Sequence, residues 1–527
     1  MKYDYDAIVI GSGFGGSVSA LRLSEKGYRV AVLEQGRRIT NQDMKKAQSP
    51  LNLFWMPALG LKGFFRQSIF RNVGIVGGVG VGGGSLVYAA VLIKPEKELF
   101  KRGEWCETDI DWAGELEPHY QNAMRIFDRQ DYPYFGQMDG HLKKTAETMG
   151  VGNTFGRVPL GMYFGEPDIS VEDPYFEGSG PKRTGCIQCG ECLTGCPYDA
   201  KNSLDQNYLY LAESLGAEIL PQHRVTLIRP LGEGGYELEM DNPIKPGQKY
   251  APLRARKVVL AAGVLGSLTL LFRCRDVFKT LPQISSRLGE TVRTNSEAIV
   301  GILSKEEDID LIDGPTISTD FYPNSHTHIT QNRFPKGYTF MKWYMGPFVD
   351  DANPLRRALK TVLAFIRHPM KSTASWRASR WHHRINILTV MQHIDNQVSF
   401  QYGRSLFSLF SKGLHSHTIS GKSAPAYLPI ANQAAQIFAR HADGTPLNVL
   451  LETLFNMSIT AHILGGCQIG PDRESGVIDT NHQVFGCPDL FVVDGSAIPA
   501  NLGVNPALTI TALAERCMSL IQEDHKE

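Results

Sequence analysis

Near its start, the sequence alternates short apolar runs with a stretch of helical periodicity. Residues 7–10 form an apolar, mostly β-branched run, which predicts a buried parallel strand. The glycine-rich residues 11–16 follow, and apolar positions then recur at helical spacing until Gly27 ends the pattern. A second apolar run at residues 29–33 ends at Glu34. This order predicts a strand, a helix and a second, parallel strand.

Three later segments show apolar periodicity next to a turn. Residues 257–263 predict a strand that enters a glycine turn, and residues 490–494 predict a strand that ends at a carboxylate. Residues 503–516 predict a helix with Pro506 in its first position. Each segment alone would be an ordinary strand–turn–helix connection, so a functional interpretation depends on all of them together.

Charge and composition limit the classes of protein that remain. The 527 residues contain 54 Lys and Arg against 54 Asp and Glu, with 20% charged and 42% hydrophobic residues. This balance excludes a protein that coats nucleic acid through bulk charge, and it excludes a disordered polyelectrolyte. No apolar stretch reaches about eighteen residues, and the first strand leaves no room for a signal peptide. We therefore expect a cytoplasmic protein without nucleic-acid partners.

The glycines of residues 11–16 have separate mechanical roles in a nucleotide-binding turn. Gly11 makes the tight turn, Gly13 lets the backbone approach a pyrophosphate, and Gly16 lets the helix pack closely on the strand. The helix start offers free N–H groups and its positive dipole end to the phosphates. Glu34 lies twenty-three residues beyond Gly11 and can accept hydrogen bonds from a ribose 2′-hydroxyl. An opening unit of this kind in a long chain favours FAD over NAD.

A second concentration of glycine lies at residues 74–84, which hold seven of the 52 glycines. Such a backbone must bend sharply or approach another group closely. The end of the run, Gly82–Ser85, is suited to wrap a phosphate or to pass under a flat ring.

Taken together, the spaced segments resemble those of the glucose–methanol–choline (GMC) flavoprotein oxidoreductases, in the cholesterol-oxidase-like branch. The resemblance spans most of the chain, and its motifs are specific as a set. The matching segments are residues 11–16 with Glu34, 80–87, 201–205, 261–267, 462–467, 494–496 and 503–516.

The resemblance implies an α/β fold with a discontinuous, Rossmann-like FAD-binding domain and an inserted α+β substrate domain built on an antiparallel sheet. The expected domains are the FAD-binding domain at residues 1–100, 200–290 and 455–527, a cap or linker at 101–199 with the cysteine-rich loop 186–196, and the substrate domain at 291–454 with a basic amphipathic insert at 353–384.

The resemblance also implies the residues of the site. In this family, the histidine of the His-x-Leu-Gly-Gly segment and the asparagine of the Asn-Pro segment face flavin N5, and these are His462 and Asn505 here. The implied FAD-binding residues are Gly11, Gly13, Phe14, Gly15, Gly16, Glu34, Gly83, Gly84, Ser85, Val225, Ala262, Gly263, Asp494, Gly495, Asn505 and Pro506.

The chemistry of these residues agrees with alcohol oxidation. A group must take the hydroxyl proton while a hydride leaves the same carbon, and an imidazole beside an orienting amide suits that task. We expect a hydrophobic alcohol, sterol-like or otherwise ring-bearing, to be oxidised to a ketone or aldehyde by hydride transfer to flavin N5.

Two departures from the family pattern bear on the substrate. In cholesterol oxidases a glutamate upstream of a Pro-x-Gly turn moves a proton during double-bond isomerisation, whereas a loose alignment places Thr330 or Gln331 there. Neither side chain can act as a base, so we expect no coupled isomerisation and a less certain sterol substrate. Tyr88 stands where cholesterol oxidases have an asparagine beside the flavin.

Four of the nine cysteines fall within residues 186–196 and are followed by Pro197. Their spacing matches the bacterial ferredoxin run, in which short intervals let thiolates converge on an iron–sulfur cluster. The favoured hypothesis is a 4Fe–4S or 3Fe–4S cluster, and structural zinc or structural cysteines, reduced or disulfide-linked, are alternatives. The predicted ligands are Cys186, Cys189, Cys192 and Cys196, and the remote candidates for a fourth ligand are Cys106, Cys274, Cys467 and Cys487.

A cluster would change the predicted function. Reduced flavin could pass its electrons singly to the cluster, so the protein would be a dehydrogenase that serves a one-electron carrier. The alternatives are an oxidase that uses O2, a lyase that keeps FAD structurally, and a non-catalytic electron-transfer or interaction subunit.

One segment is locally basic although the net charge is zero. Between Asp351 and Asp395 there are eight Lys or Arg and no acidic residue, and apolar positions recur at helical spacing from Leu355 to Ile366. A basic amphipathic helix near tryptophans can lie in a lipid headgroup layer, so residues 353–384 are a candidate for peripheral membrane contact. The alternative is a lid helix that packs on the substrate domain.

Overall fold

Two sheets of seven strands each form the framework of the residues that the computed structural model describes, which are 3–102, 105, 107–404 and 412–524. One sheet is mostly parallel, and the other is antiparallel. The predicted α/β class, with a Rossmann-like unit and an antiparallel sheet beside it, is confirmed.

The mostly parallel sheet contains the predicted strand–helix–strand unit. Ala7 pairs in parallel with Val30 on one side and with Lys257 on the other. Every residue of Val30–Glu34 is buried, which explains why the central strands have continuous apolar runs. In spatial order the strands are Glu218–Pro221, Val30–Glu34, Tyr5–Ile10, Leu253–Leu260, Tyr236–Asp241 and Arg224–Pro230, and Leu490–Val492 pairs with Leu253–Leu260.

The parallel arrangement brings two carboxylates to one edge of this sheet. Val30–Glu34 ends at Glu34, and Leu490–Val492 is followed within two residues by Asp494. Carboxyl ends of parallel strands share an edge, which is where open α/β sheets bind ligands. The helices packed around this sheet are Phe14–Glu25, Glu117–Ile126, Tyr208–Ser214, Gly263–Phe272 and Ala507–Ser519.

The antiparallel sheet supplies the second half of the molecule. The helices Gln137–Thr148 and Pro429–His441 pack on it, with Phe321, Ile329 and Phe438 in their shared core. In spatial order the strands are Met345–Pro347, Gly444–Val449, Ala298–Ser304, Ile385–Gln392, Thr327–Asn332, Thr319–Asn324 and Gly156–Arg157.

A smaller sheet joins the glycine run to the segment that precedes His462. Val73–Gly78 pairs in parallel with Ser458–Thr460 and antiparallel with Phe65–Ile69. Because Ser458–Thr460 ends two residues before His462, this pairing carries that histidine to the glycine run.

Further α-helices and strands connect and surround the elements named so far. The other helices are Asn41–Lys46, Pro50–Leu53, Trp112–Glu115, Pro354–Arg367, Pro369–Ser372, Ala374–Arg377, Trp381–Arg384 and Leu450–Phe455. The other strands are Trp55–Met56, Leu61–Lys62, Arg129–Asp131, Pro159–Gly161, Ser170–Val171, Arg183–Thr184, Val398–Arg404 and Lys412–Thr418. In the described part of the chain, every helix is too short or too polar to cross a membrane.

Candidate active site

The loop of residues 11–16 has no room for side chains on the side that packs against neighbouring backbone segments. Gly11 adopts φ +98°, and a Cβ there would lie 2.3 Å from the Ala261 carbonyl oxygen. A Cβ at Gly16 would lie 1.9 Å from the Gly11 carbonyl oxygen, so the helix packs directly on the loop. At Gly13, by contrast, no atom lies within 4 Å of the Cβ position, so this side of the loop is open.

The helix Phe14–Glu25 starts at this open side. Gly13 caps it without a side-chain hydrogen bond, and the first turn has no acidic residue. The first N–H groups of a helix lack intrahelical acceptors, and the helix dipole adds partial positive charge there. This helix start is therefore suited to an anionic group such as a pyrophosphate.

Glu34 is buried beside the loop, at the end of its strand. Its carboxylate accepts hydrogen bonds from Ser12 N at 3.1 Å, from Ser12 Oγ at 2.7 Å and from Gly36 N at 2.8 Å. Burial raises the pKa of Glu34 above its usual range. His223 N donates to the Glu34 carbonyl oxygen at 2.9 Å, which brings Val225, two residues on, to the same strand end.

The glycine run packs against the loop and the helix start. A Cβ at Gly83 would lie 2.7 Å from Gly13 Cα, and a Cβ at Gly84 would lie 3.4 Å from the Phe14 ring. Ser85 is buried, and its Oγ donates to a backbone carbonyl three residues earlier at 2.7 Å. Two predicted cofactor segments, far apart in sequence, therefore form one wall.

Asp494 connects the sheet edge with the helix Gly263–Phe272. Its carboxylate accepts from Ser267 Oγ at 2.5 Å and from Ser496 N at 2.9 Å, and burial raises the pKa of Asp494. Ala262 directly precedes this helix, and Gly263 adopts φ +70° with no atom within 4 Å of its Cβ position.

The turn after Asp494 also contacts the loop and the histidine segment. A Cβ at Gly15 would lie 2.0 Å from the Val493 carbonyl oxygen. Gly465 N, three residues beyond His462, donates to the Gly495 carbonyl oxygen at 2.9 Å. The predicted cofactor residues from the start, middle and end of the chain are therefore brought together.

The residues present fit FAD. The open side of Gly13 and the helix start would hold the pyrophosphate, Glu34 a ribose, and Asp494 a ribityl hydroxyl, with the glycine run alongside the flavin. Among the described residues, the buried side-chain atoms without a hydrogen-bond partner include Asn505 Oδ1, beside His462, and Asp205 Oδ1, which lies 3.5 Å from the Cβ position of Gly82. Buried polar atoms normally have a partner. A polar group bound along this wall would supply the missing partners.

The structure brings the side chains of His462 and Asn505 together. His462 Nε2 lies 3.3 Å from Asn505 Nδ2, and His462 Nδ1 is hydrogen bonded to Glu297 Oε1. A proton on Nδ1 that is donated to the Glu297 carboxylate leaves Nε2 unprotonated, so Nε2 is an acceptor and the Asn505 amide donates to it. Pro506, next to Asn505, directly precedes the helix Ala507–Ser519, so the helix start holds the asparagine backbone.

Glu297 is a site residue that the sequence analysis missed. It is 1% exposed, and its Oε2 accepts a hydrogen bond from Ala461 N at 2.8 Å, so both carboxylate oxygens bind the histidine segment. The one sequence signal was a carboxylate directly before the buried strand Ala298–Ser304, where a charge needs a partner.

The loop that carries Asn505 is held by a second asparagine. Asn295 Nδ2 donates to the Val504 carbonyl oxygen at 2.9 Å, and Asn295 Oδ1 accepts from Gly503 N at 2.8 Å. Asn295 adopts φ +56° and Ser296 adopts φ +47°, a left-handed conformation that is uncommon for such residues. This backbone therefore orients both Glu297 and Asn505.

The four clustered cysteines line one narrow cavity, and all four are free thiols. Burial raises the pKa of Cys186 to about 12 and also raises the pKa of Cys189 and of Cys192. Throughout the described ranges, no group of three or more His, Cys, Asp or Glu side chains is placed to hold a metal ion. The iron–sulfur hypothesis therefore gains no support.

Of the remote cysteines, the three in the described ranges do not line this cavity. Cys274 accepts from Ile228 N at 3.4 Å, and Cys487 lies 3.2 Å from a Gln283 amide nitrogen. Cys467 is buried near Asp494, and Cys106 lies outside the described residues.

The two departures from the family pattern have different surroundings. Gln331 Nε2 donates to Asp139 Oδ1 at 2.5 Å, so this side chain is engaged with the helix Gln137–Thr148, and the neighbouring Thr330 is buried. Tyr88 packs edge-on against Phe14 at 5.6 Å and donates to the Asn202 carbonyl oxygen at 2.6 Å.

The fold and the site define an FAD-dependent oxidoreductase that acts on CH–OH groups, and the chain belongs to the GMC oxidoreductase family, in its cholesterol-oxidase-like branch. Residues 417–514 match the family model described as GMC oxidoreductase, and residues 9–49 match that of the NAD(P)-binding Rossmann-like domain. A cholesterol oxidase of Mycobacterium tuberculosis is 43% identical over 99% of this chain and 91% of its own length.

Two further comparisons agree with this assignment. A cholesterol oxidase of Acinetobacter baumannii is 40% identical over 99% of this chain and 95% of its own. The crystal structure of pyridoxine 4-oxidase from Mesorbium loti superposes with a TM-score of 0.65 over 99% of this chain and all of that one. Its 16% identity supports the fold alone.

Proposed function

We propose that the protein oxidises a hydrophobic, ring-bearing alcohol to its carbonyl product, with His462 taking the hydroxyl proton and Asn505 orienting the oxygen. The observation that carries the proposal is the pairing of His462 Nδ1 with Glu297, because it leaves Nε2 beside the Asn505 amide as a proton acceptor. FAD, when bound, supplies the acceptor for the hydride that leaves the carbinol carbon.

The residues divide the work of the step. Asn505 has an amide oxygen without a partner, so the side chain can bond a hydroxyl as well as the imidazole. Glu297 contacts no reacting atom in this scheme, and it positions the ring and stabilises the imidazolium that forms when Nε2 takes the proton. Glu297 is therefore a positioning residue.

The similarity to cholesterol oxidases supports a hydrophobic substrate, and the protein beside the site is apolar. Leu86 and Ile459, which adjoin the glycine run and the histidine segment, belong to one core cluster with Phe65 and Tyr338. The two cholesterol oxidases that resemble this chain support a sterol-like alcohol among such substrates. Because Gln331 is bonded to Asp139, the proposal includes no double-bond isomerisation.

We infer O2 as the electron acceptor, which favours the oxidase alternative over the dehydrogenase that the cysteine spacing predicted. The named relatives at 40% and 43% identity are oxidases. The second candidate, transfer through a cysteine-bound cluster to a one-electron carrier, rests on the shared cavity of the four cysteines.

Anaerobic mixing of the FAD-loaded protein with a 3-hydroxysterol, and separately with a linear long-chain alcohol, tests the proposal. Bleaching of the flavin absorbance by the sterol, followed by one peroxide per alcohol when O2 is admitted, would support it. No bleaching by either alcohol would overturn the oxidation and leave the lyase alternative. About four irons per chain, with flavin reoxidised by a one-electron dye and without peroxide, would establish the cluster relay instead.

A further inference from the structure

The helix Pro354–Arg367 turns its apolar face toward solvent. Its apolar crest consists of residues that are exposed by 83%, 59%, 47% and 69%, namely Leu355, Leu359, Val362 and Ile366 in chain order. The buried positions of the same helix are polar, because Arg357 is 1% and Thr361 is 0% exposed. Surface helices normally bury the apolar stripe and expose the polar face, so this helix is inverted. The alternative of a lid packed on the substrate domain through these residues disagrees with their exposure.

Polar bonds hold the helix in this rotation. The Arg357 guanidinium donates to the Asp351 carbonyl oxygen at 3.0 Å and to Asn456 Oδ1 at 2.6 Å, and it lies 5.2 Å from the centre of the Tyr427 ring. The Asn353 side chain caps the helix start by accepting from a backbone N–H. Turning the crest inward would rotate Arg357 out of this setting and break these bonds.

The crest continues into an aromatic surface. The Phe365 ring lies 5.4 Å from the Trp376 ring, which in turn lies 6.1 Å from Trp343, and Trp343 is 57% exposed. Met370, in the short helix Pro369–Ser372 that follows, is 65% exposed. The exposed apolar area is therefore larger than one helix face, and such contiguous areas mark interaction sites.

Positive charge flanks the crest on one side. Arg356, Lys360 and Arg367 share that side of the helix by their spacing, and all three are exposed. Asp351 is 9% exposed, and its carboxylate lies 2.7 Å from Lys360 Nζ and 3.5 Å from the Arg356 guanidinium.

Further basic groups follow the helix along the chain. Lys371 and Arg377 are exposed, and no acidic residue occurs in residues 352–394. The exposed Asp308 contacts Arg380.

We propose that the crest and its basic flank dock the protein on an anionic lipid bilayer, with the helix in the headgroup layer and the crest inserted. Apolar insertion beside Lys and Arg is the pattern of interfacial helices. A second copy of the chain fits less well, because an antiparallel symmetric contact through the crest would place the basic flanks of both copies on the same side. The docking goes beyond the proposed function and does not depend on it.

Vesicle flotation of the FAD-loaded, full-length protein tests the docking. We expect binding to vesicles of phosphatidylcholine with phosphatidylserine, and weaker binding to phosphatidylcholine alone. The double variant Leu359→Ser/Ile366→Ser should bind at least roughly tenfold more weakly. The matched control Leu215→Ser/Phe278→Ser removes residues that are 54% and 47% exposed outside this surface, and it should bind like the wild type.

Charge and assembly are tested in parallel. Arg356→Glu/Lys360→Glu should reduce binding to the anionic vesicles by roughly tenfold or more. The binding that remains should depend less on salt concentration than that of the wild type. Equal binding by the crest variant and its control, or no binding of the wild type to anionic vesicles, would overturn the proposal. A crest-dependent dimer in light scattering that does not bind vesicles would assign the surface to a second copy instead.

Discussion

At the scale of single residues, the site depends on which nitrogen of one imidazole carries the proton. The Glu297 carboxylate accepts from His462 Nδ1, and the unprotonated Nε2 faces the Asn505 amide. A neutral imidazole is both a donor and an acceptor, so a partner on one nitrogen decides the role of the other. The carboxylate is thus as much a part of the proposed proton transfer as the histidine.

Replacing the proposed base tests its role directly. His462→Gln should slow flavin reduction by the alcohol roughly 10²–10⁴-fold, because the proton acceptor is lost while the glycine loops that hold FAD are untouched. Stopped-flow absorbance measures the rate, and bound FAD per chain checks the fold. His441→Gln is the control, since His441 contacts only Thr148 among the described hydrogen bonds and lies at the end of the helix Pro429–His441. An unchanged rate in His462→Gln would remove the assignment.

The positioning role of Glu297 predicts a loss in kcat rather than in KM. Glu297→Gln should lower kcat roughly 10²–10⁴-fold with little change in KM or FAD content, because an amide no longer fixes the imidazole tautomer. Glu297→Asp should restore part of the rate, which a purely structural defect would not do. Glu290→Gln, at a side chain that is 43% exposed, is the control. Equal losses of kcat and of FAD content would indicate a structural role instead.

At the scale of elements, the glycine loop of residues 11–16 packs against backbone atoms on one side and is open on the other. A Cβ would have open space at Gly13, but three residues later, at Gly16, it would clash with a backbone carbonyl oxygen. Cofactor binding and packing are therefore separable by substitution within this loop.

Gly13→Ala should weaken FAD binding at least roughly tenfold, because the methyl group would occupy the space of the pyrophosphate. Its cofactor-free stability should stay within about 0.5 kcal/mol of wild type, since the Cβ position contacts nothing. Gly16→Ala should instead lose about 1–3 kcal/mol of stability through overpacking. Fluorescence titration with FAD and thermal unfolding of the cofactor-free variants measure the two effects. Gly232→Ala, in an exposed loop with open space at its Cβ position, is the control for both.

At the scale of the whole molecule, a buried carboxyl links pH to stability. Glu452 lies in the helix Leu450–Phe455, is 4% exposed and accepts from Ile299 N at 3.4 Å. Burial raises the pKa of Glu452 to about 8, and the Glu297 charge adds to this effect. In the unfolded chain the same group titrates near 4.5, so the folded state holds the proton between these values.

The sign of the effect follows from the raised pKa. The stabilising contribution is fully present below about pH 4.5 and is lost as the pH rises through about 8, by roughly 4–5 kcal/mol in total. Glu452→Gln should keep its stability over this range, whereas the exposed control Glu474→Gln should decline like the wild type. Urea unfolding of each variant at pH 5 and pH 8 measures this difference. Parallel losses in wild type and Glu452→Gln would contradict the assignment.

The sequence by itself determined the features that depend on local spacing. Residues 7–34 specify the strand, turn and helix because the period of apolar positions and the glycine positions are local properties. The motif around His462 and the Asn-Pro segment identified the two residues that meet in the site. These predictions needed no knowledge of how distant segments pack.

Only the tertiary structure decided which distant groups face one another. Glu297 reaches His462 across 165 residues, and Gly83 packs on Gly13, because pairing of non-adjacent strands sets those distances. Sequence spacing could not reveal how the four clustered cysteines are arranged. They line one cavity, but among the described residues no group of side chains is arranged to hold a metal ion. Periodicity likewise identified the amphipathic helix 354–367 but not its rotation, which the buried bonds of Arg357 set with the apolar face outward.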